Sequence, residues 1–243
     1  MSVIYLANPS YSKAEPENTR SVLSATTKHT TITNNNGTSA LCYTFNMAWC
    51  DMLNRREGEK IDYFAMLHSD IGVLEINWLD KMVEILESGL NTQKILSVVS
   101  PLKDMRGLCS TGLWDLGKDR MVRRLVIKEL DKLPSVFGSD DVCELFEKDK
   151  LEHILAVNTG CMLIKVGRWC ERLFFRTEDG VIIKNNKFEP TFKSEDWLFS
   201  RDAFLNCGIE SIATTEIKIE HLGRFGFTNY GGWGELEKDN FEG

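Results

Sequence analysis

YFAMLHSDIGV, residues 63–73, is the stretch on which the fold turns. Its first five residues are apolar at every position, so the strand has no polar face and must be covered on both sides, as in a parallel sheet. The run then breaks off into His68, Ser69 and Asp70, followed by Ile71 and Gly72. A core strand has no use for such an ending, and in open α/β sheets ligands bind outside the carboxyl ends of parallel strands. His68 and Asp70 stand two positions apart, which puts both on one side of an extended segment, able to face one bound ion. Imidazole beside carboxylate suits a transition ion such as Mn2+ better than an ion that takes oxygen alone. The competing reading makes Asp70-Ile71-Gly72 an ordinary turn, with His68 at a strand end.

Outward from this strand, the pattern alternates. Val3 to Leu6 is a short apolar run closed by ANPSYS, a first strand ending in a loop. ITNNNGTSA offers Thr38 or Ser39 as the N-cap of a helix whose apolar positions Leu41, Phe45, Trp49 and Met52 recur at helical spacing. NWLDKMVEILESG, residues 77–89, is a second amphipathic helix with Gly89 as its stop, and KILSVVSP is another buried strand. This alternation predicts an α/β fold with a mostly parallel central sheet flanked by helices, in a single domain. Residues 103–153 read as an irregular insertion. Beyond them, TGCMLIKVG is a strand, SEDWLFSRDAFLNCG a helix ending at Gly208, and IKIEHLG a strand running into a glycine- and aromatic-rich tail.

The 243 residues suffice for a substantial core, and 42% apolar with 27% charged residues is ordinary for a folded globular chain. A formal charge of −7, from 36 acidic and 29 basic residues without a basic stripe, argues against nucleic acid as the general partner. Seven cysteines without a CxxC pair suggest mostly buried thiols rather than a disulfide framework or zinc ribbon. MSVIYLANPS lacks the charged and long apolar regions of a signal peptide, and no apolar run approaches the ~18 residues of a membrane span. The expected setting is reducing and cytoplasmic. No P-loop, dinucleotide-binding or nucleophile-elbow motif occurs. A nucleotidyltransferase would show a glycine-rich loop after the first strand, where ANPSYSKAEP has no glycine.

Taken in order, the segments resemble a known family. DYFAMLHSDIGV resembles the strand and aspartate motif of GT-A-fold nucleotide-sugar glycosyltransferases of the family-2 type. TSALCYTFNMAWCDML resembles the helix before that motif, with Asn46 at a recurrent asparagine; NWLDKMVEILES and KILSVVSP resemble the helix and strand after it. NTGCMLIKVG resembles the strand leading to the acceptor side, FKSEDWLFSRDAFLNCG carries an acidic ED helix start, and IEHLG a late histidine. The likeness covers most of the chain outside residues 103–153. One departure stands out: His68 takes the place of the first aspartate of the family's Asp-x-Asp.

The resemblance implies a GT-A-like, Rossmann-type sheet in one glycosyltransferase domain. Residues 1–102 would bind the nucleotide sugar, residues 154–222 would form the acceptor and catalytic half, and residues 223–243 could close as a C-terminal lid. The implied activity is metal-dependent transfer of a sugar from a nucleotide-diphosphate donor to an acceptor hydroxyl, inverting, with Asp196 as the base and Glu195 as second choice. Asp70 and His221, aided by His68, would hold Mn2+ or Mg2+, and Ala7, Asn8, Pro9, Asn46, Ser69 and Asp70 would line the donor site. The alternatives are a retaining enzyme on the same fold and an inactive sugar-nucleotide-binding protein. A glycan, a protein side chain or a modified nucleic-acid base are candidate acceptors, the lack of a membrane helix counting against a lipid-linked one. The oligomeric state stays open.

Overall fold

The computed structural model describes residues 1–10, 14–184 and 186–234. From the N-terminus come β1 (Val3–Ala7), α1 (Pro16–Leu23), β2 (Thr30–Asn34), α2 (Leu41–Glu59), β3 (Ile61–Leu67), β4 (Ile71–Val73), α3 (Trp78–Ser88) and β5 (Gln93–Val98). The segment without a sequence assignment holds β6 (Leu108–Asp115), β7 (Arg120–Val126), β8 (Val136–Phe137) and α4 (Ser139–Phe146), leading into β9 (His153–Ala156). After β10 (Cys161–Lys165), the chain forms a ribbon of β11 (Glu178–Lys184) and β12 (Lys187–Lys193). It closes with α5 (Glu195–Cys207), β13 (Glu210–Thr214), β14 (Ile219–Leu222) and β15 (Gly226–Thr228).

The strand read from YFAML lies inside the main sheet, and its residues serve two cores. Phe64 and Met66 join Tyr5, Phe45, Trp49 and Met52 under α2; Tyr63, Ala65 and Leu67 join Ile4, Leu6, Trp78, Leu79 and Met82 under α3. Coverage on both faces is thus what the apolar run records. The expected mostly parallel, Rossmann-type and GT-A-like sheet is not found. Seven strands run in the order β2-β1-β3-β10-β5-β13-β8. Only β1–β2, β1–β3 and β5–β13 pair in parallel. Strand β10 is antiparallel to both neighbours, and β8 is antiparallel to β13. The three smaller sheets, β11-β12, β15-β14-β4 and β7-β6-β9, are antiparallel throughout. The architecture is a mixed α/β one. An apolar run reports that helices cover both faces of a strand, and says nothing of the direction of its neighbours.

Smaller expectations are corrected too. Helix α2 starts at Leu41 with Ala40 at its N-cap and no capping side chain, because the Thr38 hydroxyl is engaged with Thr44 and Ala40 instead. Leu41 itself is exposed. Gly89 ends α3 in extended backbone, without the left-handed turn that favours glycine, whereas Gly208 at the end of α5 does adopt it, at φ 66°. No helix among the described residues is long and apolar enough to cross a membrane, and all seven cysteines are free thiols.

Candidate functional site

Two clusters flank the strip formed by Ser100–Pro101 and Cys109–Ser110. Pro101 bridges to Cys109, and Ser110 N donates to Ser100 O at 2.9 Å.

The first cluster grows from the end of β3. Strand β14 pairs with β4 so that His221 lies opposite Ile71, and Leu222 N donates to Asp70 O at 2.7 Å. The Asp70 carboxylate receives Lys103 Nζ, and His221 Nε2 stands 3.5 Å from its Oδ2. Burial, the largest single influence on Asp70, pushes its carboxyl up; the hydrogen bonds and charge of His221 and Lys103 outweigh it, holding the group far below the usual range. His221 Nδ1 lies 2.7 Å from the Pro101 carbonyl. A carbonyl oxygen only accepts, so Nδ1 carries a proton, and Nε2 is the ring atom turned toward the carboxylate. That atom faces the Asp70 oxygen that Lys103 also reaches, so a divalent cation would bind here in place of the lysine. The donor set fits a divalent cation, the ring being oriented by a backbone carbonyl as metal-bound histidines are. Among the described residues no three His, Cys, Asp or Glu side chains converge, so a cation here would take its remaining oxygens from a substrate.

His68 does not join that pair. Residues 68–70 form a turn, with Ile71 N donating to His68 O at 3.0 Å, so the alternation expected of an extended segment is lost. The His68 ring lies 5.0 Å from that of Phe45, and its Nε2 is 3.2 Å from Thr159 Oγ1. Burial pushes its imidazole down to about 4, with the charges of His221 and Lys103 adding to the effect and Asp70 opposing it.

The second cluster sits at the start of α5. Asp196 Oδ1 accepts the Ser194 hydroxyl and the Trp197 N–H, the latter at 2.9 Å. Trp197 Nε1 donates to Ser110 O at 3.0 Å, and the Arg124 guanidinium lies 4.2 Å above the Trp197 ring while reaching Cys109 O. Glu195 is buried beside Asp196, and on the α2 side Cys42 feels its charge. Burial and then the charge of Asp196 push Glu195 up to about 7; burial also raises Asp196, against the pull of Ser194, Trp197 and Arg124. Two carboxyls at a helix start would ordinarily be held down by the dipole, and here desolvation wins.

No protein-family model matches the chain, and no curated protein is significantly similar in sequence. Among solved structures it is similar to A197 from STIV, at 15% identity and a TM-score of 0.51, with 92% of this chain and 86% of that one covered. That likeness concerns the fold alone.

The structure therefore brings Asp70 and His221 together, and links them through Pro101, Cys109 and Arg124 to Asp196 and Glu195. It commits other expected residues elsewhere. The Asn8 amide is buried between Leu67 O at 2.7 Å and Asn18 Oδ1 at 3.1 Å. Asn46 pairs with both backbone groups of Phe175 at 2.7 and 2.9 Å. Ala7 is buried, while Pro9 O accepts Ser69 N at 3.3 Å, which keeps the first strand's loop beside the turn. Asn8 thus braces the end of β3, and Asn46 ties α2 to Phe175. Lys103, Thr159 and the Pro101 carbonyl were missing from the sequence reading. Lys103 follows the end of β5 as Asp70 follows the end of β3, and that parallel is the signal that could have found it. Residues 223–234 pack on the loop after Lys103: the Gly107 and Gly234 backbones approach so closely that a Cβ on Gly107 would lie 2.8 Å from Gly234 Cα. Residues 235–243 of the expected lid lie outside the described residues.

Proposed function

We propose that this protein is a metal-dependent glycosyltransferase that moves a sugar from a nucleotide-diphosphate donor to an acceptor hydroxyl with inversion, in the reducing cytoplasmic compartment. The observation that carries the reading is the opposite treatment of its two carboxylate sites along one strip of backbone. One is an anion poised for a cation, and the other is a desolvated pair poised for proton transfer.

The donor diphosphate belongs beside Asp70 and His221, over the loop joined by Pro9 and Ser69. Mn2+ or Mg2+ held by these two residues would supply Lewis-acid neutralisation of the departing diphosphate. Lys103 adds a fixed positive charge at the same carboxylate and so favours the same leaving group. Ser100 Oγ, buried without a partner among the described residues, is a hydroxyl available to a bound sugar. Across the strip, Asp196 takes the acceptor proton as the acceptor oxygen forms its bond to the anomeric carbon, opposite the leaving oxygen. A raised carboxyl is a stronger base than an exposed one, and Ser194 and Trp197 fix its orientation through Oδ1. Glu195, raised as well, would hold the acceptor by hydrogen bonding.

Titration of the purified protein with UDP- and GDP-sugars, with and without Mn2+, tests this directly. Metal-dependent donor binding with slow release of nucleoside diphosphate is expected. Absence of any metal-dependent binding would defeat the proposal, and binding without release in the presence of a range of acceptors would leave only a sugar-nucleotide-binding protein.

A further inference from the structure

The β11–β12 ribbon is built unlike the rest of the molecule. Its register pairs Ile183 with Phe188, Val181 with Pro190 and Asp179 with Phe192, and directly paired residues share a face. One face is therefore Val181, Ile183, Phe188, Pro190 and Phe192, with Asp179 at its root. Val181 is 70% exposed, Ile183 69% and Phe188 80%. The ribbon's root is fastened to the body by charge: Glu178 and Lys193 pair with each other at 3.1 Å, Arg201 reaches Asp119 at 2.8 Å, and Lys193 also meets Asp119. A contiguous apolar face on a ribbon tied down at its root marks an interaction surface.

Pro190 and Phe192 of that face also wall a cavity of about 270 Å3, beside Ser194 and Trp197 at the start of α5. Its charged lining is Arg120, Arg124 and Lys193, with no acidic residue; Lys193 is already paired with Glu178 and Asp119 at the ribbon's root, so Arg120 is the cation turned to the open side. Arg120 is exposed. Trp114, which also lines the cavity, is buried with an indole N–H that has no partner among them. The surface thus runs from hydrocarbon-seeking side chains straight into a cationic hollow adjoining Asp196.

We propose that this surface docks an anionic lipid in a bilayer, so that the acceptor is a membrane-borne lipid whose charged head enters the cavity while the ribbon's apolar face meets the acyl region. Naming the lipid as acceptor rests on the transferase reading; the docking itself does not. An anionic amphiphile supplies in one molecule both the apolar stretch and the negative charge that the surface complements. A two-fold dimer through the same face would cover the ribbon's apolar side chains but would leave the basic cavity beside it unexplained. That no helix among the described residues could cross a membrane is no obstacle, since an interfacial ribbon reaches lipid without spanning it.

Flotation with vesicles of phosphatidylcholine alone, or of phosphatidylcholine mixed with phosphatidylglycerol, tests the proposal on the whole chain. The protein is expected to float with the anionic vesicles only, and to be released by salt. Arg120→Ala should weaken partitioning about fivefold, the effect of one basic residue near an anionic surface. Ile183→Ser with Phe188→Ser should weaken it by roughly tenfold or more through lost apolar burial. Both side chains are exposed, so the double variant should keep the parent's melting temperature and its binding of UDP-sugar with Mn2+. No flotation, or flotation unchanged in the double variant, overturns the proposal. So does a dimer in sedimentation that the double variant converts to monomer, which assigns the face to a second copy. Vesicle binding without any metal-dependent donor binding would sink the transferase reading and leave the docking surface standing; donor binding without vesicle binding would do the reverse.

Discussion

Asp70 and Asp196 are carboxylates of the same chemical type, held at the two edges of one backbone strip and driven in opposite directions. Around Asp70 the chain gathers Lys103 and His221, and their hydrogen bonds and charge overcome the cost of burial. Around Asp196 it gathers Glu195, Trp197 and Ser194, and burial prevails even at a helix start. The difference lies in whether a mobile cationic side chain can reach the oxygens, since depth alone raises a carboxyl. An anion held charged is a place for a cation, and a carboxyl held toward neutrality is a place for a proton.

If the two sites divide the work in this way, their variants should fail differently. Asp196→Asn is expected to leave donor binding intact and lower transfer by about 10²–10⁴-fold, the usual worth of general-base assistance. Ser194 and the Trp197 N–H still find an oxygen on the asparagine, so the helix start should hold. Near-normal turnover by this variant would move the base to Glu195. Asp70→Ala and His221→Ala should instead weaken metal-dependent donor binding, each by at least the ~10–100-fold that loss of an outer partner of a metal ligand costs. Calorimetric titration of UDP-sugar with Mn2+ measures this. Unchanged affinity in either variant would erase the contrast between the sites.

Lys103 allows a finer test of the first site. It neutralises Asp70 at the oxygen a metal would take. Lys103→Met should therefore tighten Mn2+ binding in the absence of donor, by up to about fivefold, the range of a partly exposed ion pair. Donor affinity without metal should fall by a similar factor. Weaker Mn2+ binding in this variant would show that Lys103 positions Asp70 rather than competing for it.

How far these sites could be read in the sequence depends on what each signal measures. YFAML announced a strand covered on both faces, and it is one. Strand direction was invisible, because β10 is as apolar as β3 while running against it; partner identity is a long-range choice that local hydropathy does not record. Asp70 and His221 were legible because polar residues at the ends of apolar runs are conspicuous. His68 was misplaced by assuming extended geometry through a turn, where a hydrogen bond from Ile71 N to His68 O redirects the side chain to Thr159. Lys103 and the Pro101 carbonyl were hidden for a different reason: a lysine in a loop and a backbone oxygen carry no compositional mark. The apolar ribbon face was hidden too, since EDGVIIK and KFEPTFK become a face only once their register is known.

The smallest effect bears on Glu195, and its sign alone discriminates. In the unfolded chain this carboxyl titrates near its ordinary value of 4.5, whereas in the fold it is pushed up to about 7. Between those two values the folded state binds more protons than the unfolded one, so stability falls as pH rises through that window and stays reduced above it. Asp196, raised as well, acts in the same sense. Glu195→Gln removes the titration while keeping shape and hydrogen-bonding capacity. It should raise the melting temperature by a few degrees over the parent at about pH 8, with the gain shrinking toward about pH 5, where the parent's carboxyl is largely protonated in the fold. A glutamate serving only the helix dipole would behave oppositely, because its loss would cost stability where it is charged. Melting curves of both proteins across this range separate the cases. A variant less stable than the parent at the alkaline end would show that Glu195 is held charged, and with it would go the claim that desolvation governs this side of the cleft.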